Sequence, residues 1–385
     1  MLHGFPRKIL WNERAGDAIH AILSEEGVET AVVVTDKVIS GLEAFKELLG
    51  TLESRGIKVR VYDRVTPEPP FTVADEIASL AREAGAKAII AVGGGSVIDA
   101  AKAALVRLVK PGLDLHDVAP FNPLGLDRGG ILLIAVPTTS GTGSDASHAM
   151  VLTEEAGGVR RKVAMAHYDL VPYASVLDPR LPGGAPRRLR VWTAMDALTH
   201  ALETLASTEA TPFTDALALS AAEIIFTRLE DALNGDEEAT AMIHAAATMA
   251  GIAFTNGGLG LAHAIGHPLG AALGTHHGAT VGILLPRIVS LYYSDERARA
   301  KYERLRRILE ELDGAEHRDD LAGHIYRLYD SIGAPKRLRD LGVEKPRLEA
   351  VAARVAEEAF HDPDIAYAPI VPPPEDIEKL ILNLY

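Results

Sequence analysis

Through the first half of the chain, short apolar runs alternate with segments of helical period, and near residue 180 the alternation stops. AVVVTD (31–36), KVRVYDRV (58–65), AKAIIAVGG (86–94) and ILLIAVPTT (131–139) have the length and the β-branched, apolar make-up of strands. Between them, GLEAFKELLGTLESRG (41–56), TVADEIASLAREAG (72–85) and the stretch from Ser96 to Leu108 repeat apolar residues every three to four positions. Parallel neighbours need a crossover, and helices of this size supply it, so the pattern implies a parallel sheet covered by helices. DPRLPGGAPRR (178–188) is dense in Pro and Gly and reads as a boundary. Beyond it, Ala-rich runs such as FTDALALSAAEIIFTRLEDAL (213–233) keep a helical period and show no strand pattern. The expected architecture is an α/β domain over residues 1–180 followed by an all-α domain over 181–385.

Two loops stand directly after predicted strands. AVGGGSVIDAAK (91–102) joins a buried strand to a helix through three glycines and Ser96. Such a turn lets backbone amides at the positive end of a helix approach a pyrophosphate, although a GGGS run also serves as a plain tight turn. PTTSGTGSD (137–145) is a second hydroxyl- and glycine-rich loop in the same position. Two of them at strand C-termini suggest one nucleotide crevice, the place where open α/β sheets bind ligands. Asp36 ends the strand VVVTD; an acid there can bind ribose hydroxyls and repel a 2′-phosphate, favouring NAD over NADP, or can simply cap a turn.

The helical half carries a second kind of signal. In VWTAMDALTHALE (191–203), Asp196 and His200 are four residues apart and share a helix face amid apolar neighbours. A buried carboxylate must be paired or must coordinate a metal. On this stretch alone a satisfied hydrogen-bonded core pair competes with a cation site. GLGLAHAIGHPLGAALGTHHG (258–278) adds His263, His267, His276 and His277, the first two again at i and i+4. Four imidazoles in 21 residues, beside a separate DxxxH, are hard to read as packing. Such a His/Asp set suits Fe²⁺ or Zn²⁺.

Composition narrows the rest. The 385-residue chain has net charge −14, which argues against a general nucleic-acid binder. It has no cysteine, hence no disulfide and no thiolate metal ligand. No apolar run approaches a membrane span, and the opening MLHGFPRKILWNERAG lacks a signal-peptide core, so a cytoplasmic protein away from the membrane is expected. EELDGAEHRDD (310–320) reads as a solvated face.

Taken in order, GGGSVIDAAK, PTTSGTGSD, MDALTHALE and GLAHAIGHPLGA…HHG resemble the iron-dependent (group III) alcohol dehydrogenase family, which includes lactaldehyde reductases, also called propanediol oxidoreductases. The resemblance implies a dinucleotide-binding α/β domain, a helical catalytic domain, hydride transfer between a small alcohol and NAD, and a homodimer or larger homo-oligomer. It implies metal ligation by Asp196, His200, His263 and His277. His267 matches a family histidine near the nicotinamide that does not bind the metal, and His276 matches no role. Gly93, Gly94, Gly95, Ser96 and Asp99 match the pyrophosphate loop; Thr138, Thr139 and Thr142 match the second cofactor loop. Lys162 matches a lysine near the cofactor ribose, and Asp36 the acid that disfavours NADP. The chain departs from the family at Asp145, often Glu, at Glu68, often Asn, and at Ala149, Asn in some propanediol enzymes. HDPDIAYAPI (361–370) replaces the family's Cys-then-Asn-Pro-Arg pattern, with Asp364 and Ala368, Pro369 and Ile370. These departures bear on the choice of substrate. Sibling readings on the same fold are a zinc-dependent polyol or glycerol-phosphate dehydrogenase and a dehydroquinate synthase-like lyase; a metallohydrolase or a nucleotide-binding regulator would leave the glycine loops or the histidines without a task.

The chain also has no Gln and only five Asn, a depletion that follows the thermophile trend and that a GC-rich genome would reproduce in part. The thermophile reading predicts a thermal unfolding midpoint above about 55 °C, where mesophile domains cluster; calorimetry giving a lower midpoint would assign the bias to base composition.

Overall fold

The computed structural model describes residues 4–156, 159–313 and 320–385, so most of the EELDGAEHRDD segment lies outside the described residues. The chain divides into two compact units between Ala185 and Pro186.

The first unit is built on a six-stranded parallel sheet. Its strands are β1 (Lys8–Trp11), β2 (Thr30–Val34), β3 (Lys58–Tyr62), β4 (Ala88–Gly93), β5 (Leu132–Pro137) and β8 (Ala174–Leu177), in the order β1-β8-β5-β4-β2-β3. An antiparallel hairpin, β6 (Ala149–Ala156) with β7 (Val159–Ala166), stands apart from it. Period-two alternation sends the strand side chains to two cores. Val32, Val34, Ile89, Ala91, Leu133 and Ala135 pack against helices Phe71–Ala84 and Gly95–Val109. Ala31, Val33, Ile90, Val92, Val136 and Val176 pack against helices Ala15–Glu25 and Glu43–Ser54. A sheet buried on both faces must be apolar throughout, which is why β4 is AIIAVG and wholly buried.

From β2 the chain moves outward to β3, then returns to place β4 on the other side of β2. The order therefore reverses between β2 and β4. All strands run the same way, so Asp36 after β2, Gly94 after β4 and Thr138 after β5 leave one edge of the sheet on adjacent strands.

The four strands anticipated from sequence are present as β2 to β5. β1 and β8 escaped notice because KILW and ASVL are only four residues long. The hairpin escaped because its VRRKVAMA strand is charged and belongs to no buried face of the main sheet.

A buried lysine ties the hairpin and second loop to helix Gly95–Val109. Lys102, on helix Gly95–Val109, is inaccessible and donates from Nζ to Ser144 Oγ (3.1 Å), the Ser147 carbonyl (2.9 Å) and the Ala149 carbonyl (2.7 Å). Asp99, one turn earlier, accepts from Ser144 Oγ (2.6 Å) and Val151 N (3.0 Å). Burial pushes the Lys102 pKa down to about 8 against the pull of Asp99 and Asp145. The same burial raises Asp99, opposed by Lys102.

The second unit is a bundle of helices around one core. Helix Arg187–Ala206 is buried nearly all round by Pro212–Leu233, Glu237–Gly257 and His277–Tyr292, which explains why its sequence shows almost no polar face. Among the described residues no helix is long and apolar enough to cross a membrane.

Replacing Lys102 by Met keeps the aliphatic volume but leaves the Ser147 and Ala149 carbonyls without their donor and Asp99 without its counter-charge. Lys102→Met should therefore destabilise the first unit by about 3 kcal/mol or more, seen as an earlier denaturant midpoint; a wild-type midpoint would show the network to be dispensable.

Candidate metal centre and nucleotide loops

Three helices of the second unit bring the polar residues together. Asp196 and His200 lie on Arg187–Ala206, His263 and His267 on Leu261–Leu273, and His277 opens His277–Tyr292. Glycines allow the approach. A Cβ at Gly278 would lie 2.4 Å from the Trp192 carbonyl and 2.9 Å from Asp196 Cβ, and one at Gly282 2.6 Å from Met195. Only a helix bare at those positions can set His277 against Asp196.

The geometry centres on Asp196 Oδ1. It lies 3.8 Å from His200 Nε2, 3.8 Å from His263 Nε2 and 3.4 Å from His277 Nε2. Separations of 3.8 Å are too long for hydrogen bonds. They suit donors converging on one ion, since two ligands about 2.1 Å from a tetrahedral cation lie about 3.4 Å apart. Asp196 Oδ1 and His263 Nε2 are sealed from solvent and have no hydrogen-bond partner. Asp196, His263 and His277 form the tightest group, with donor atoms within 4.8 Å of one another; His200 lies just outside it, its ring stacked on His263 at 4.7 Å.

Glu203 went unremarked in the sequence. It is fully buried, accepts from Ala262 N through Oε1 (2.5 Å), and sets Oε2 2.5 Å from His263 Nδ1. That contact puts a hydrogen on Nδ1 and leaves Nε2, on the Asp196 side, as the atom that would bind an ion in place of its proton. The signal was available: Glu203 is seven residues from Asp196 on the same buried helix, hence on the same face. Burial opposes a charged His263, but the Asp196 and Glu203 carboxylates outweigh it and hold its pKa up at about 10. Burial likewise works against ionised Asp196, and the surrounding imidazoles bring its pKa below the usual carboxylate range. The pocket is organised to hold positive charge, and its donor set fits a divalent cation.

His267 borders this group and is hydrogen-bonded outside it. Its ring lies 5.4 Å from that of His277, nearly parallel, and Nδ1 is 3.0 Å from Asp362 Oδ2 and 3.9 Å from Asp364 Oδ2. Burial pushes the Asp364 carboxyl up to about 6 against the pull of His267. His276 packs on Trp192, with ring centroids 5.0 Å apart.

In the first unit, the two loops are packed together. A Cβ at Gly95 would lie 3.0 Å from Thr142, one at Gly94 3.6 Å from Thr139, and Thr138 N donates to the Gly93 carbonyl (3.1 Å). A Cβ at Gly93 would strike Val97 at 2.4 Å. No side chain caps helix Gly95–Val109, which leaves its first amides, beside Ser96, for an anion. Asp99 directs its carboxylate to Ser144 of the second loop and Val151 of β6, and so acts on the loop's shape. Asp36 Oδ1 caps the following turn through Val38 N (2.8 Å) and Ile39 N (2.9 Å). Lys162, on β7, pairs with Glu68 at 2.6 Å.

The chain matches two family models, "Iron-containing alcohol dehydrogenase" over residues 6–179 and "Fe-containing alcohol dehydrogenase family, C-terminal" over residues 190–385. It is 35% identical to an alcohol dehydrogenase of Thermococcus barophilus across 87% of this chain and 86% of that one. To the lactaldehyde reductase of Escherichia coli (strain K12) it is 32% identical across 87% and 88%. The solved structure of an iron-containing alcohol dehydrogenase from Thermococcus thioreducens superposes with a TM-score of 0.90 at 32% identity, covering 100% of this chain and 99% of that one. A parallel α/β unit followed by a helical unit with a buried His/Asp cluster defines a metal-dependent oxidoreductase of alcohols and aldehydes. Within that class, the chain belongs to the iron-containing alcohol dehydrogenase family.

Glu203→Gln should weaken metal affinity by roughly 10–100-fold, the usual effect of removing a carboxylate behind a ligating histidine. Chelator competition on the folded variant measures it; an unchanged affinity would confine Glu203 to holding Ala262 N.

Proposed function

We propose that this protein interconverts a primary alcohol or 1,2-diol and its aldehyde with NAD, using iron(II), or zinc in its place, held by Asp196, His200, His263 and His277. The observation that carries the reading is the sealed Asp196 Oδ1 faced by three imidazole Nε2 atoms with no hydrogen bond between them. The bound groups supply electrophilic stabilisation of the substrate oxygen and exchange of the hydride.

The chain's own residues do the rest. Gly95 and Ser96 offer uncapped helix amides to a pyrophosphate beside Gly93 and Gly94, and Thr138, Thr139 and Thr142 border them. Asp36, just after the strand beside the glycine loop at the reversal of strand order, sets a negative charge against a 2′-phosphate and favours NAD. Lys162 serves the ribose side. Oxidation of an alcohol releases a proton as well as a hydride, and His267, close to the metal cluster yet turned toward Asp362, holds that proton. The lactaldehyde reductase relative supports a small diol or hydroxyaldehyde as substrate.

The test is anaerobic. Protein stripped with a chelator should lose NADH formation and regain it with Fe²⁺, with Zn²⁺ as the parallel arm, across a panel of primary alcohols and 1,2-diols. His263→Ala should abolish metal binding. His267→Ala should keep the metal and lose about 10²–10⁴-fold in kcat. Equal metal loss in both variants would end this division of labour, and inactivity with every metal despite NAD binding would favour the polyol or lyase siblings.

A further inference from the structure

The Asp362 carboxylate is engaged at both oxygens. Oδ1 accepts the backbone N–H of Asp364 (2.9 Å) and so caps the turn Pro363–Tyr367, while Oδ2 meets His267 Nδ1 at 3.0 Å. The carboxylate is therefore oriented by its own backbone before it meets the imidazole. The ring is confined as well, stacked 13° from parallel on His277 and set edge-on to His263 at 5.8 Å. A carboxylate at Nδ1 selects the tautomer that carries its hydrogen there and leaves the Nε2 lone pair as the basic site.

We propose that Asp362 is a positioning residue for His267, fixing the tautomer and ring orientation in which Nε2 takes and returns the substrate's proton. This rests on the reading of His267 as the proton-holding residue. In oxidation, the alcohol O–H bond breaks as its proton, directly or through water, bonds to His267 Nε2. The carbinol C–H bond breaks with its electron pair passing to NAD⁺, and the C=O bond forms. Asp362 stabilises the resulting imidazolium, which then gives the proton to solvent, so that alcohol and NAD⁺ become aldehyde, NADH and H⁺. The same donor atoms of His267, Asp362 and Asp364 lie within 4.8 Å of one another, which a second cation would also require. The 3.0 Å contact favours the hydrogen bond, because it needs the Nδ1 proton that a cation would displace.

The experiment compares wild type, Asp362→Asn, Asp362→Ala and His267→Ala as full-length, zinc-loaded protein. Asp362→Asn preserves the size of the side chain and an oxygen to cap the turn. The expected result is a fall in kcat of about 10–100-fold in both Asp362 variants, smaller than the about 10²–10⁴-fold that the acid–base group itself contributes, with KM for the alcohol and one zinc per chain unchanged. Long-range ¹H–¹⁵N spectra of histidine-labelled protein provide the second readout, His267 being assigned by its absence in His267→Ala. They should show Nδ1 protonated in wild type and the hydrogen redistributed in Asp362→Ala. Unchanged tautomer and kcat in both Asp362 variants, with His267→Ala slow, would overturn the positioning role alone. So would a raised KM at constant kcat, or two zinc ions per chain falling to one in Asp362→Ala. Wild-type kcat in His267→Ala would instead remove the proton-holding role and this inference with it.

Discussion

One carboxylate in an apolar interior sets the terms for the helical unit. Asp196 sits where ionisation is costly, and no hydrogen-bond donor reaches its Oδ1. An uncompensated charge of that kind costs several kcal/mol. Compensation has to come from positive charge at the convergence of His200, His263 and His277. The helices must therefore approach closely enough for three imidazoles to share one oxygen, and the bare backbone at Gly278 and Gly282 makes that approach possible. Gly260 contributes in the same way: a Cβ there would lie 3.0 Å from both Glu203 Oε1 and the Tyr292 hydroxyl, which holds Leu261 N.

The α/β unit solves a different problem. Its nucleotide loops need exposed amides, yet they spring from strands buried on both faces. The parallel order resolves the conflict by sending β2, β4 and β5 out along one edge. Lys102 and Asp99 then hold the end of the second loop through Ser144. Within the fingerprint read from sequence, Gly95 and Ser96 open an uncapped helix, while Asp99 is hydrogen-bonded to Ser144 and Val151.

Much of this was legible in advance because period and spacing survive folding. The strands flanking the glycine loops were long and apolar enough to be recognised, and the i, i+4 pairs Asp196/His200 and His263/His267 announced shared helix faces. Residues whose importance depends on partners distant in sequence stayed hidden. Glu203 looks like any helix-terminal acid until His263, 60 residues later, is folded against it. Asp362 acquires meaning only from a histidine 95 residues earlier. Lys102 looks like a solvated helix lysine, and its burial follows from carbonyls 45 and 47 residues away. β1 and β8 are too short to carry a period of their own and exist because a longer sheet offers them an edge.

All four matched metal positions belong to the helical unit, on three helices whose shared apolar core brings those side chains together. Ion binding there is also a contribution to that unit's folding free energy. At a free ion concentration 100 times the dissociation constant, linkage adds about 2.7 kcal/mol. Metal supply would then govern more than turnover. In a starved cell, the helical unit would spend more time open to proteases, and the abundance of the protein would follow the metal economy of its host.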